Sequence, residues 1–169
     1  MNELCLDYIN KHAPYQVTKD KEQGYYRFTS KAGVEFLVGF DKDEILLKHH
    51  SYQLIIANVN HKPSPRDTKV KTTISVIIEA FFQANNVTML YICDTGDGKQ
   101  KMRSRLFGFW FSTFVGKSLY TMLTATVKDE EGIDNYVALI SRTDNPYLAE
   151  SVNIFSETIQ LLSHKPEQQ

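Results

Sequence analysis

Seven residues, Val87 to Cys93, restrict this chain more than any others. They are almost wholly apolar, too few for a helix, and closed off by Asn85-Asn86 before and Asp94-Thr-Gly-Asp-Gly98 after. Such a run predicts a strand buried on both faces. A strand of that kind needs neighbouring strands and a layer of helix over the sheet, and both are legible on either side. Upstream, Val70, Ile74, Ile77, Ile78, Phe81 and Phe82 recur at helical spacing. Asp67 stands as N-cap, and Asn85 is placed to stop the helix in a left-handed C-cap. The preceding stretch, Asn58 to Arg66, contains two prolines and reads as a loop. Downstream, a second helix is predicted from about Lys99 to Phe114.

The remaining elements follow from a change of period. Residues 3–11 suit a short helix, and residues 12–24 read as a polar connection. Tyr26 and Phe28, then Val34, Phe36, Val38 and Phe40, alternate with their neighbours around Ser30-Lys-Ala-Gly33, which predicts a β-hairpin. Asp41 to Glu44 is a polar break, and Tyr52 to Val59 a third strand. Leu119 to Val127 and Tyr136 to Ile140 form a second hairpin around Lys128-Asp-Glu-Glu-Gly132. Asn145-Pro146 opens a last helix, marked by Leu148, Val152, Phe155, Ile159 and Leu162. The order is (α)βββαβαββα. It predicts an α+β fold with a mixed, largely antiparallel sheet flanked by helices: a short N-terminal helix and connection over 1–24, a single domain over 25–163, and a frayed tail over 164–169. The link from the third strand to the Val87 strand is long enough for a parallel crossover.

Composition narrows the function. Nineteen basic and twenty acidic residues leave a net charge of −1, which excludes nucleic-acid binding that rests on overall charge. Cys5 and Cys93 are the only cysteines in the chain, and they suit a reduced, cytoplasmic setting better than a disulfide scaffold. The N-terminus lacks the apolar core of a signal peptide, and no run approaches the roughly 20 residues of a membrane span. No membrane contact is expected. A homodimer stays open. His12, His49, His50, His61 and His164 form no metal motif, and no cysteine pair has metal spacing.

The densest chemistry lies from Tyr91 to Phe111, where the buried strand ends and a helix begins. Ligands favour such strand ends in α/β sheets. Arg103 falls on the helix face that carries Phe107, Trp110 and Phe114, and an arginine there needs a partner. Asp94 and Asp97 are the nearest, with Gln100 on a neighbouring stripe. The candidate site, or structural network, is therefore Asp94, Asp97, Gln100, Arg103 and Trp110; as a network, the aspartates cap the helix and a buried Arg103 ties it down. Catalytic residues are not assigned. Asp94-Thr-Gly matches the aspartic-protease triplet, but no second triplet exists, and a long helix after the loop does not suit that fold. Arg105 stands where a calcium loop beginning at Asp94 would need a glutamate. Arg66, Lys69 and Lys71, at the start of the first long helix, are a candidate anion-binding group.

The element order resembles that of the GNAT-type acetyltransferases. That resemblance implies a coenzyme A pyrophosphate cradled on backbone N–H groups by a Gln/Arg-x-x-Gly-x-Gly/Ala loop. The matching junction, Pro63-Ser-Pro-Arg-Asp-Thr-Lys-Val-Lys71, holds no glycine. The reading is thus a non-catalytic or degenerate acetyltransferase-like binding module without cofactor; the alternative is an acyl-CoA-dependent N-acyltransferase using acetyl-CoA, so whether the protein is an enzyme stays open. A second resemblance is more local. Tyr91 to Thr95, Asp97, Gly98, Gln100, Arg103, Arg105, Phe107, Trp110 and Phe111 are similar to a Bacteroidota family described only as a domain of unknown function. It spans about Tyr25 to Ile159 and implies a bacterial protein, with no activity to carry over.

Overall fold

The computed structural model describes residues 1–163 apart from Ile45, His49 and Asp94. The expected frayed tail, like His49 and Asp94, lies outside the described residues. The elements are α1 (Leu6–His12), β1 (Thr18–Lys19), β2 (Tyr26–Thr29), β3 (Glu35–Lys42), β4 (Ser51–Asn58), α2 (Thr68–Ala84), β5 (Thr88–Ile92), α3 (Gln100–Ser112), β6 (Tyr120–Lys128), β7 (Asp134–Arg142) and α4 (Leu148–Ser163), with a 3-10 turn at Lys117–Leu119 before β6. The fold is α+β, with a largely antiparallel seven-stranded sheet and flanking helices. The chain gathers into two compact units, Met1–Asp41 with Leu54–Asn86, and Lys42–Gln53 with Val87 onward.

In the first unit the strands run in the order β1-β2-β3-β4. β2 and β3 pair antiparallel with Phe28 opposite Phe36 and Tyr26 opposite Val38, which puts the alternating apolar set on one face. The turn closes where expected: Gly33 has φ +73°, its N–H donates to the Ser30 carbonyl, and the Ser30 N–H donates to Val34. β1 was not expected. Its two residues oppose Arg27 and Tyr26, too short a pairing to leave a period in the sequence. α2 buries Val70, Ile74, Ile77 and Phe81, and Phe81 stacks on Phe40 with ring centroids 4.0 Å apart. Its end differs from the expected left-handed cap. Asn85 is extended (φ −135°, ψ 129°). The Asn85 side-chain amide donates to the Phe81 carbonyl and its Oδ1 accepts from Asn2 N–H, so the side chain closes the helix and anchors the N-terminus together.

In the second unit the order is β5-β7-β6, with both pairs antiparallel. β5 is buried along Thr88 to Tyr91, as its apolar run predicts. Leu47, Leu90, Val137, Leu139 and Phe155 form one apolar cluster. α4 begins at Leu148, two residues beyond the expected start at Pro146; Asn145 shapes the turn before it by accepting the Tyr147 N–H, and its amide donates to the buried Ser141 hydroxyl. The segment read as a polar break contains a buried carboxylate. Asp43 accepts N–H groups from Leu46, Leu47 and Lys48 and the hydroxyl of Ser51, folding the chain before β4 into a tight turn.

Candidate functional site

The residues of the densest sequence signal converge at the carboxyl end of β5, inside the second unit. Tyr91 and Cys93 are two residues apart, so they share one side of the chain. The Tyr91 phenol and the Cys93 thiol are close enough to act on each other's titration. Both are buried, and the Tyr91 ring packs on Phe107 of α3 with centroids 4.3 Å apart. α3 begins at Gln100, and its start is organised by Asp97, whose Oδ1 accepts the Lys99 N–H at 3.1 Å. One turn on, Arg103 closes a two-pronged pair on the same carboxylate: Nη1 to Oδ1 at 2.7 Å and Nη2 to Oδ2 at 2.6 Å. Arg103 is also close enough to Tyr91 and Cys93 for its charge to act on both.

Electrostatics follow from this geometry. The Arg103 guanidinium, helped by the Lys99 N–H, holds the Asp97 carboxyl down to about 2. Burial pushes the Cys93 thiol up, against the pull of the Tyr91 phenol and the Arg103 charge. Burial also pushes the Tyr91 phenol up. At neutral pH the cluster therefore holds a paired carboxylate, a protonated thiol and a protonated phenol. None of the three is poised as a general base or nucleophile.

The predicted residues fare differently. Asp97 and Arg103 are paired as expected. The expected burial of Arg103 does not hold: its side chain is 34% exposed and that of Asp97 43%. The Asp97 loop lies at the surface, so the pair forms at the rim of the cluster and water reaches both partners. Trp110 is half-buried on the same side of α3. Gln100 places its Oε1 in a buried position without a hydrogen-bond partner among the described residues. The Asp94 role, cap or protease aspartate, lies outside the described residues. The Tyr91–Cys93 pair was missed as a unit, because only the packing of α3 over the strand end joins it to Arg103. Among the described residues no group of three or more His, Cys, Asp or Glu gathers to hold a metal.

The anion-binding group sits at the start of α2 in the first unit. Arg66 and Lys69 are exposed and Lys71 is half-buried. The helix N-terminus between them is taken up by Asp67, whose Oδ1 accepts the Lys69 N–H at 2.8 Å and whose Oδ2 accepts the Tyr15 hydroxyl at 2.6 Å. The Tyr15 hydrogen bond, with those from the helix N–H groups, holds the Asp67 carboxyl below its usual range.

Residues 66–157, more than half of the chain, match the model of a family of unknown function, DUF6169. The chain belongs to that family. The matched region begins one residue before Asp67 and contains α2, β5, the Asp97–Arg103 pair and both strands of the second hairpin. No curated protein matches the sequence. Among solved structures, the chain is similar to the N-terminal domain of ribosomal-protein-alanine acetyltransferase from Clostridium acetobutylicum ATCC 824, at 14% identity and a TM-score of 0.39, over 78% of this chain and 94% of that one.

Proposed function

We propose that this protein is a non-catalytic binding module built on an acetyltransferase-like order of elements, with its functional surface on the Tyr91–Phe111 segment. The observation that carries the reading is Asp67. In the resembling enzymes, the pyrophosphate of coenzyme A lies against free N–H groups at the start of the helix after the third core strand. The helix in that position of the order is α2, and a carboxylate of the chain itself already accepts its Lys69 N–H. Tyr15 holds that carboxylate in place and keeps it ionised. A pyrophosphate would meet negative charge where it needs donors. The loop before α2 has no glycine to let backbone approach a phosphate. The protonation of Cys93 and Tyr91, and the full engagement of Asp97, support the same reading from the second unit.

Isothermal titration of acetyl-CoA into the protein tests the proposal. No heat of binding up to millimolar ligand is the expected result. Saturable binding accompanied by acyl transfer to an amine would establish the alternative, an acyl-CoA-dependent N-acyltransferase, in its place.

A further inference from the structure

Half of the large apolar side chains that stand exposed among the described residues fall in one short segment: Met102, Leu106, Phe109, Val115 and Leu119. On α3, Met102, Leu106 and Phe109 are spaced i, i+4 and i+7, so they form a stripe about 60° wide. They are 61%, 48% and 51% exposed. The helix packs another side, with Phe107 against Tyr91, so this stripe is a second apolar face, about half exposed. Val115, in the turn after the helix, is 99% exposed.

The segment that carries this stripe is basic. From Gly98 to Lys128 the chain carries six basic residues and no acidic one, so all twenty acidic residues of the protein lie elsewhere. Arg105 and Lys101 border the stripe on one side and Lys99 on the other, and all three are exposed. Lys117 lies beyond Val115. A second copy docking face to face would set Lys99, Lys101, Arg105 and Lys117 against their own counterparts. The partner must be negative, and it must accept apolar side chains that project outward. A lipid surface meets both needs without a preformed groove, and cationic helices with an apolar stripe lie in the headgroup layer in this way.

We infer that the solvent face of α3, with Val115, docks on an anionic phospholipid surface, Met102, Leu106, Phe109 and Val115 entering the headgroup boundary and Lys99, Lys101, Arg105 and Lys117 pairing with lipid phosphates and carboxylates. This goes beyond the binding-module reading and does not depend on the acetyl-CoA result. It also departs from the expectation of no membrane contact. No helix here is long and apolar enough to cross a membrane among the described residues, but a helix that lies on one needs neither property.

Co-sedimentation with vesicles tests it, using pure phosphatidylcholine and phosphatidylcholine mixed with phosphatidylserine. The protein is expected to pellet with the mixed vesicles at low salt, to be released at high salt, and to ignore the neutral ones. Lys101→Glu with Arg105→Glu should weaken binding by about tenfold or more, and Leu106→Glu with Phe109→Glu should abolish it. The substituted side chains are exposed, and an unchanged circular-dichroism melt confirms folding. The wild type offers a readout without substitution: Trp110, the chain's one tryptophan, should be quenched by brominated lipid in the mixed vesicles. Failure to bind the mixed vesicles, equal binding by the variants, equal binding to neutral lipid, or binding of a soluble acidic polypeptide by a protein that leaves the mixed vesicles untouched would each overturn the proposal, the last in favour of an acidic protein partner.

Discussion

Both oxygens of Asp97 are held by Arg103, so the carboxyl should titrate near 2 rather than near the ordinary value of about 4. A depressed folded value means that the pair's stabilisation is complete above the unfolded value and is lost as pH falls through about 2. Carbon-detected NMR of the Asp97 carboxyl should show that midpoint, and Arg103→Gln should move it up toward 4. Because water reaches both partners, Arg103→Ala should lower the melting temperature only modestly. Lysine should not restore the titration shift, since it lacks the planar fork. Asp43 behaves differently because it is buried. Burial pushes its carboxyl up, but the N–H groups of Leu46 and Leu47, the Ser51 hydroxyl and the Lys48 N–H outweigh this and leave it lowered. Its contribution is likewise present above the unfolded value and lost in acid. Asp43→Ala strands those donors and should cost about 1–3 kcal/mol in denaturant unfolding, with Asp43→Asn costing less. Cys93 is buried and its thiol is pushed up, whereas Cys5 is exposed. An aromatic disulfide reagent should therefore modify Cys5 at once and Cys93 only on unfolding; two fast thiols would contradict the burial of Cys93.

At the scale of elements, α3 is the instructive case. Its existence was legible, but not its two faces, because apolar residues run most of the way round it and blur any single stripe. The structure separates them. Phe107→Ala should cost about 3–5 kcal/mol, as deletions of packed rings do, while Leu106→Ala, one residue earlier, should stay within roughly 0.5 kcal/mol. Equal costs at the two positions would mean that the helix is rotated from the phase described. β3 offers a second contrast. A Cβ added at Gly39 would sit 2.5 Å from the Tyr25 ring, whose hydroxyl is held by Asp41. Gly39→Ala should therefore displace that ring and destabilise by about 1–3 kcal/mol.

At the scale of the whole molecule, the elements built on long periodic runs were readable: α2, β3, β5 and β7 each bury a continuous apolar set, while α4 and β6 turn a partly buried apolar face inward. What escaped was short or depended on side-chain reach. β1 is two residues long, the 3-10 turn at Lys117–Leu119 is three, and Asn85 ends α2 through its amide instead of a left-handed backbone. The site was legible in its local half, Asp97 with Arg103 across one helical start. Its other half was not, since Tyr91 and Cys93 join it only through packing between a strand and a helix distant in pattern. Asp67 was legible as a cap from its position alone, but not Tyr15, 52 residues away, which fixes its second oxygen. That cap carries the central claim, and the backbone amides of Lys69 and Val70 report on it directly. Their ¹H–¹⁵N resonances, followed while acetyl-CoA is added to millimolar concentration, should stay in place because Asp67 already occupies the helix start. Saturable shifts of both amides would show the cradle open to coenzyme A and contradict the account.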